Sequence, residues 1–141
     1  MSNFYQYFKE NMDGLGLPAP ESLFGTLQTT VATVTVLLTN IDKFGKTVTV
    51  RELIGAGTRL EKLATVAALS AAFYVGACIG SLAVATGRTL AGGVSIADVL
   101  LLARRHQIDR AWLTPVLLKA PAIYQPNAIG RYSCRYIASK P

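Results

Sequence analysis

Two uncharged runs dominate the pattern of hydrophobic and polar positions along this chain. The first covers 22–41, twenty residues between Glu21 and Asp42. The second covers 63–86, twenty-four residues without a single charge. In the first run Thr26, Thr29, Thr30, Thr33 and Asn40 fall on one stripe at 100° per residue. Phe24, Leu27, Val31, Val34 and Leu38 fall on the opposite one. This predicts a helix that is amphipathic without charge. Thr33-Val34-Thr35-Val36 also alternates as a half-buried strand does, but the stripe extends over most of the run and favours helix. In the second run Ala64, Ala68, Ala72, Gly76 and Gly80 recur every four residues, so they stack on one face of a helix.

The flanks supply stops and starts. The opening segment, Phe4-Tyr5-Gln6-Tyr7-Phe8, is aromatic and predicts a short interfacial or core-docking helix. It ends in the breaker Asp13-Gly14-Leu15-Gly16-Leu17-Pro18. In the connector, Thr49 with Glu52 and Thr58 with Glu61 have capping-box spacing. The second box is expected to start the ladder helix at Arg59, and Gly87 to stop it. Ser95 with Asp98 caps a further helix, and Thr114-Pro115 reads as N-cap and first residue of a short one.

These elements predict an all-α protein. Its centre is a helical hairpin, 22–41 and 59–86, of two uncharged, membrane-competent helices, with short flanking helices at 96–107 and 115–119. An aromatic N-terminal segment (1–21) precedes the hairpin region (22–88, with a charged connector at 42–58). A basic C-terminal segment and tail (89–141) follow it. The second run is long enough for a bilayer core, which needs roughly 20 apolar residues. Small residues four apart allow the close backbone approach of GxxxG association in lipid. A helix buried at the centre of a small bundle is also apolar all round, and a hairpin packed in that way can later insert.

Charge changes the picture only at the ends. The net charge of +6 is carried by the C-terminal third, which has eight basic residues against Asp98 and Asp109. A dispersed basic surface suits anionic lipid or an acidic partner, and no nucleic-acid-binding module is recognisable. Trp112, Tyr124, Tyr132 and Tyr136 accompany these charges, as aromatics do at membrane interfaces. The N-terminus has no basic stretch followed by an apolar core, so no cleaved signal peptide is expected.

Catalytic chemistry finds few parts. His106 is the only histidine, and Cys78 lies within the apolar ladder, where burial works against a thiolate. No carboxylate pair is arranged for acid–base work, and ligands for a metal are too few. Gly55-Ala56-Gly57-Thr58 lacks the phosphate-binding spacings. The expectation is a protein that is not an enzyme and holds no cofactor.

The run Ala68-xxx-Ala72-xxx-Gly76-xxx-Gly80, with Gly55-Ala56-Gly57 upstream and two uncharged helical runs joined by a charged connector, resembles the small glycine-zipper pore-forming effectors delivered between bacteria by type VI secretion. The likeness covers about the middle half of the chain, 22–88. It implies an antibacterial toxin made in the cytoplasm without a cleaved signal peptide and acting at the inner membrane of a target cell. It also implies a secretion-tube carrier and an immunity protein as partners. On this reading Ala64, Ala68, Ala72, Gly76 and Gly80 associate copies into a homo-oligomer in the lipid bilayer. Thr26, Thr29, Thr30, Thr33 and Asn40 are the candidates for lining its ion-conducting pore. The competing expectation is a non-toxic small helical adaptor or immunity-type interaction protein, soluble or membrane-bound.

Overall fold

A helix with no polar face has to be covered on every side, and the fold is organised around one. The computed structural model describes residues 4–20, 26–45, 47–55, 69–87 and 95–124. Among these the apolar helix α4 (Ala71–Thr86) is buried at every position from Ala71 to Ala85. Around it lie α1 (Phe4–Gly14), α2 (Leu27–Phe44), α5 (Ile96–Arg105) and α6 (Leu113–Lys119), each packed on α4. A short α3 (Val50–Gly55) and a 3-10 turn at Pro121–Ile123 complete the described elements. The protein is all-α: the described residues form six α-helices, and their only β-type pairing is an isolated antiparallel bridge between Thr49 and Ser70.

That bridge corrects the expected hairpin. The helix predicted from Arg59 to Thr86 is interrupted at Leu69–Ser70. Ser70 is extended (φ −59°, ψ 130°) and its hydroxyl accepts the Phe73 amide as an N-cap. The Leu69 carbonyl accepts from Val50 N–H at 2.9 Å, and Ala71 N–H donates to the Val48 carbonyl at 2.9 Å. Backbone groups that a continuous helix would pair internally are thus taken by the connector. What remains is a helix of sixteen residues, about 24 Å long at 1.5 Å per residue, against a hydrocarbon core of about 30 Å. No helix among the described residues is long and apolar enough to cross a membrane. The Thr58–Glu61 cap, Ala64 and Ala68 lie outside the described residues.

The sheath helices follow their caps and patterns. In α1, Phe4, Phe8, Asn11 and Met12 share the buried face, and Gly16 makes the turn that follows at φ 75°, a conformation glycine adopts without strain. The Tyr74 hydroxyl donates to the Pro18 carbonyl at 2.6 Å and Tyr5 to Pro20 at 2.9 Å, pinning the proline segment over the bundle. The Thr49–Glu52 box caps α3, since Glu52 accepts from Thr49 N–H at 3.1 Å and the Thr49 hydroxyl accepts from Glu52 N–H at 3.3 Å. Ser95 and Asp98 form the same box at α5. Gly87 ends α4 as expected, donating to the Ala83 carbonyl. The start of α6 differs. It begins at Leu113, with Trp112 at the N-cap and no side-chain cap; Pro115 sits within the first turn, where a missing N–H costs nothing.

Candidate functional site

On α4, Ala72, Gly76 and Gly80 keep the four-residue spacing of the ladder and are all buried. Two of them meet α6 and the 3-10 turn that follows it. A Cβ built on Gly76 would lie 2.8 Å from Cγ1 of Val116 and 3.7 Å from Cδ1 of Leu113. One on Gly80 would collide with Cγ2 of Ile123 and touch Leu117 at 3.8 Å. The absence of side chains is therefore what lets α6 and the 3-10 turn lie directly on the α4 backbone. Close approach is the physical use of small residues that the ladder implied. Its occupant here is intramolecular.

Sequence reasoning missed the polar group that fastens this contact. Asn11 of α1 is buried, and its Nδ2 donates to Oγ of Ser81 at 2.8 Å and to the Ile123 carbonyl at 2.9 Å. The Ser81 hydroxyl in turn donates to Sδ of Met12 at 3.2 Å. One side chain thus joins α1, the face of α4 next to Gly80, and the 3-10 turn. The signal was present in the sequence, because Asn11 falls at helical spacing from Phe4 and Phe8. A polar residue on an apolar stripe needs a buried partner.

The threonine stripe sits differently from expectation. Thr26 is the N-cap of α2 and forms a capping box with Thr29. Thr30 is fully buried, with its hydroxyl donating to the Thr26 carbonyl at 2.7 Å. Thr33 donates to Thr29 O at 3.1 Å, and Asn40 donates to Val36 O at 3.1 Å. The buried face of α2 is Thr30, Val34, Leu37, Leu38 and Ile41, so the helix is turned towards its threonines. The side left to solvent carries Gln28, Ala32, Thr35, Val36 and Thr39. Thr35 and Thr39 also bond back to the carbonyl four residues earlier, at 2.8 and 2.9 Å. The hydroxyls of α2 are thus satisfied within their own helix.

Outside this core, Asp42 at the end of α2 pairs with Arg110, whose Nη2 lies 2.8 Å from Oδ2. The carboxylate beside it holds the guanidinium pKa above its ordinary value. His106 is the C-cap of α5, and Cys78 is buried without exposure. Among the described residues no group of three metal-binding side chains comes together. A shallow groove of about 250 Å³ between α4 and α5 is lined by Ala83, Thr86, Asp98, Leu101 and Arg105, among others. No protein-family model, curated protein or solved structure matches the chain.

Proposed function

We propose that this chain is a membrane-permeabilising toxin carried as a sheathed bundle, in which α4 is kept from water until the sheath opens at a bilayer. The observation that supports this most is α4 itself: uncharged, buried at every position from Ala71 to Ala85, and covered by the shorter or more polar helices around it. On this reading α4 inserts with the apolar residues that precede it in the run 63–86. Copies associate through Ala64, Ala68, Ala72, Gly76 and Gly80 into a homo-oligomer. Thr26, Thr29, Thr30, Thr33 and Asn40 line the ion path, the threonine hydroxyls already satisfied by their own helix and so tolerable in lipid. A secretion carrier and an immunity protein accompany such a toxin, and the target is the inner membrane of a competing cell.

A second reading is favoured by one specific observation. Gly76 and Gly80 already have an occupant, so the glycine part of the small-residue face is used inside the monomer. The chain is then a non-toxic helical adaptor or immunity-type protein that retains this bundle while bound to its partner.

Expression with and without a periplasmic targeting signal separates the two. The toxin reading expects growth arrest and loss of membrane potential when the chain is sent to the periplasm, and normal growth when it stays in the cytoplasm. Normal growth with an intact potential in both compartments rules it out and leaves the adaptor.

A further inference from the structure

Helix α6 and the 3-10 turn after it cover the two glycines of α4. We propose that the segment Leu113–Ile123 is an autoinhibitory occupant of the α4 glycine face, and that it must leave before α4 can pair with the same face of a second copy. The inference rests on the toxin reading and adds its regulation.

Three observations carry it. Val116 and Ile123 lie against the positions that self-association needs, so closely that a Cβ on Gly76 or Gly80 would force them to move. A second α4 backbone cannot share that space, which makes the two contacts mutually exclusive. The occupant is also held by little covering structure of its own. Leu118 on α6 is 65% exposed, and the segment's apolar attachment is made through Leu113, Leu117 and Ile123, each fully buried. Finally, its far end is fastened by a removable polar bond. Asn11 donates to the Ile123 carbonyl while also holding Ser81, one position beyond Gly80. A short helix with an apolar stripe and one buried hydrogen-bonded anchor can detach as a unit, leaving α4 exposed along one face.

The geometry supplies its own test. A Cβ on Gly76 would lie 3.5 Å from Cβ of Val116, and one on Gly80 would lie 3.6 Å from Cβ of Ile123. Both fall within the Cβ–Cβ range of about 3.5–4.5 Å that a disulfide spans. The full-length chain carrying Gly76→Cys and Val116→Cys, with Cys78→Ala and Cys134→Ser to prevent mispairing, can be locked by oxidation and released by reduction. The readout is potassium efflux from phosphatidylethanolamine–phosphatidylglycerol vesicles. The locked form is expected to be inert, and reduction of the same double variant to restore potassium release. The unlocked variant Asn11→Ala is expected to act about tenfold faster than wild type, the factor for roughly 1.4 kcal/mol lost from one buried hydrogen bond.

Equal and measurable efflux from the locked and reduced forms overturns the proposal. So does an Asn11→Ala rate no higher than wild type, even if the cysteine substitutions alone prevent assembly. Wild-type protein that releases nothing, together with an inert Asn11→Ala, sinks the toxin reading itself and removes the autoinhibition with it.

Discussion

Helices α2 and α4 are both drawn from uncharged runs, yet the fold treats them in opposite ways. α4 is apolar on all sides and is covered on all sides. α2 keeps one face in the core and leaves the other to solvent without any charge until Asp42 and Lys43. The difference lies in how each sequence disposes of its polar atoms. The hydroxyls along α2 bond to carbonyls one turn back, so either of its faces can lie against apolar or aqueous surroundings. The one polar side chain at the middle of α4, Ser81, finds partners on α1 instead. Lack of charge therefore marks a core helix in one case and an adaptable surface helix in the other.

The sharpest way to break this comparison is to place the same charge on each helix. Ala77 on α4 is fully buried and Ala32 on α2 is exposed. Ala77→Lys should cost about 5 kcal/mol or more and leave no cooperative thermal transition, because a buried unpaired ammonium has no compensation. Ala32→Lys should stay within about 0.5 kcal/mol of wild type in urea unfolding. A folded Ala77→Lys protein would remove the distinction altogether.

Gly80→Leu probes the α4 surface without charge. The side chain cannot fit while Ile123 stays in place, so overpacking of about 3 kcal/mol is expected, with a fall of roughly 10 °C in the melting temperature. Partial recovery in the double variant with Ile123→Ala shows that the cost arises at this contact. Because the same glycine serves the proposed assembly, the leucine variant reports on both, and only the unfolding measurement isolates the bundle.

Asn11→Leu should cost about 2 kcal/mol, since it leaves the buried Ile123 carbonyl without its donor. The loss should concentrate in the amides of α6 and the 3-10 turn when followed by hydrogen exchange. The Asp42–Arg110 pair ties the end of α2 to the loop before α6 and is partly exposed. Arg110→Ala should therefore cost no more than about 0.5 kcal/mol, and less at high salt. The smallest effect comes from acid. The backbone amide and hydroxyl of Ser95 hold the Asp98 carboxylate below its ordinary range. Its contribution to the α5 cap is present above the ordinary carboxylate pKa and fades as pH falls through the lowered value. Asp98→Asn should flatten that acid limb of the stability profile.

Much of this architecture was legible in the sequence because it depends on local chemistry. The boxes at Thr49–Glu52 and Ser95–Asp98, the stop at Gly87 and the aromatic α1 all follow from neighbours a few residues apart. The break at Ser70 was not legible, since it depends on pairing with Val48 and Val50, some twenty residues earlier. A four-residue ladder that runs straight through a serine gives no hint that the serine will cap. The ladder's contact chemistry could be read, but not its occupant: small residues state that a backbone comes close, and nothing in their spacing says whose. The stripe on α2 misled for a related reason. Its threonines looked like a polar face, whereas satisfied hydroxyls let Thr30 pack in the core.

The central claim is that a helix buried in this bundle becomes a membrane element. The most direct measurement is dye release from sealed phosphatidylethanolamine–phosphatidylglycerol vesicles by the purified full-length chain, followed over a range of protein concentrations, with flotation of the same mixture. The account predicts release that rises more steeply than linearly with concentration, as self-association requires, and protein that floats with the lipid. No release, with the protein left behind in the aqueous fraction, would contradict it and make α4 a structural core alone.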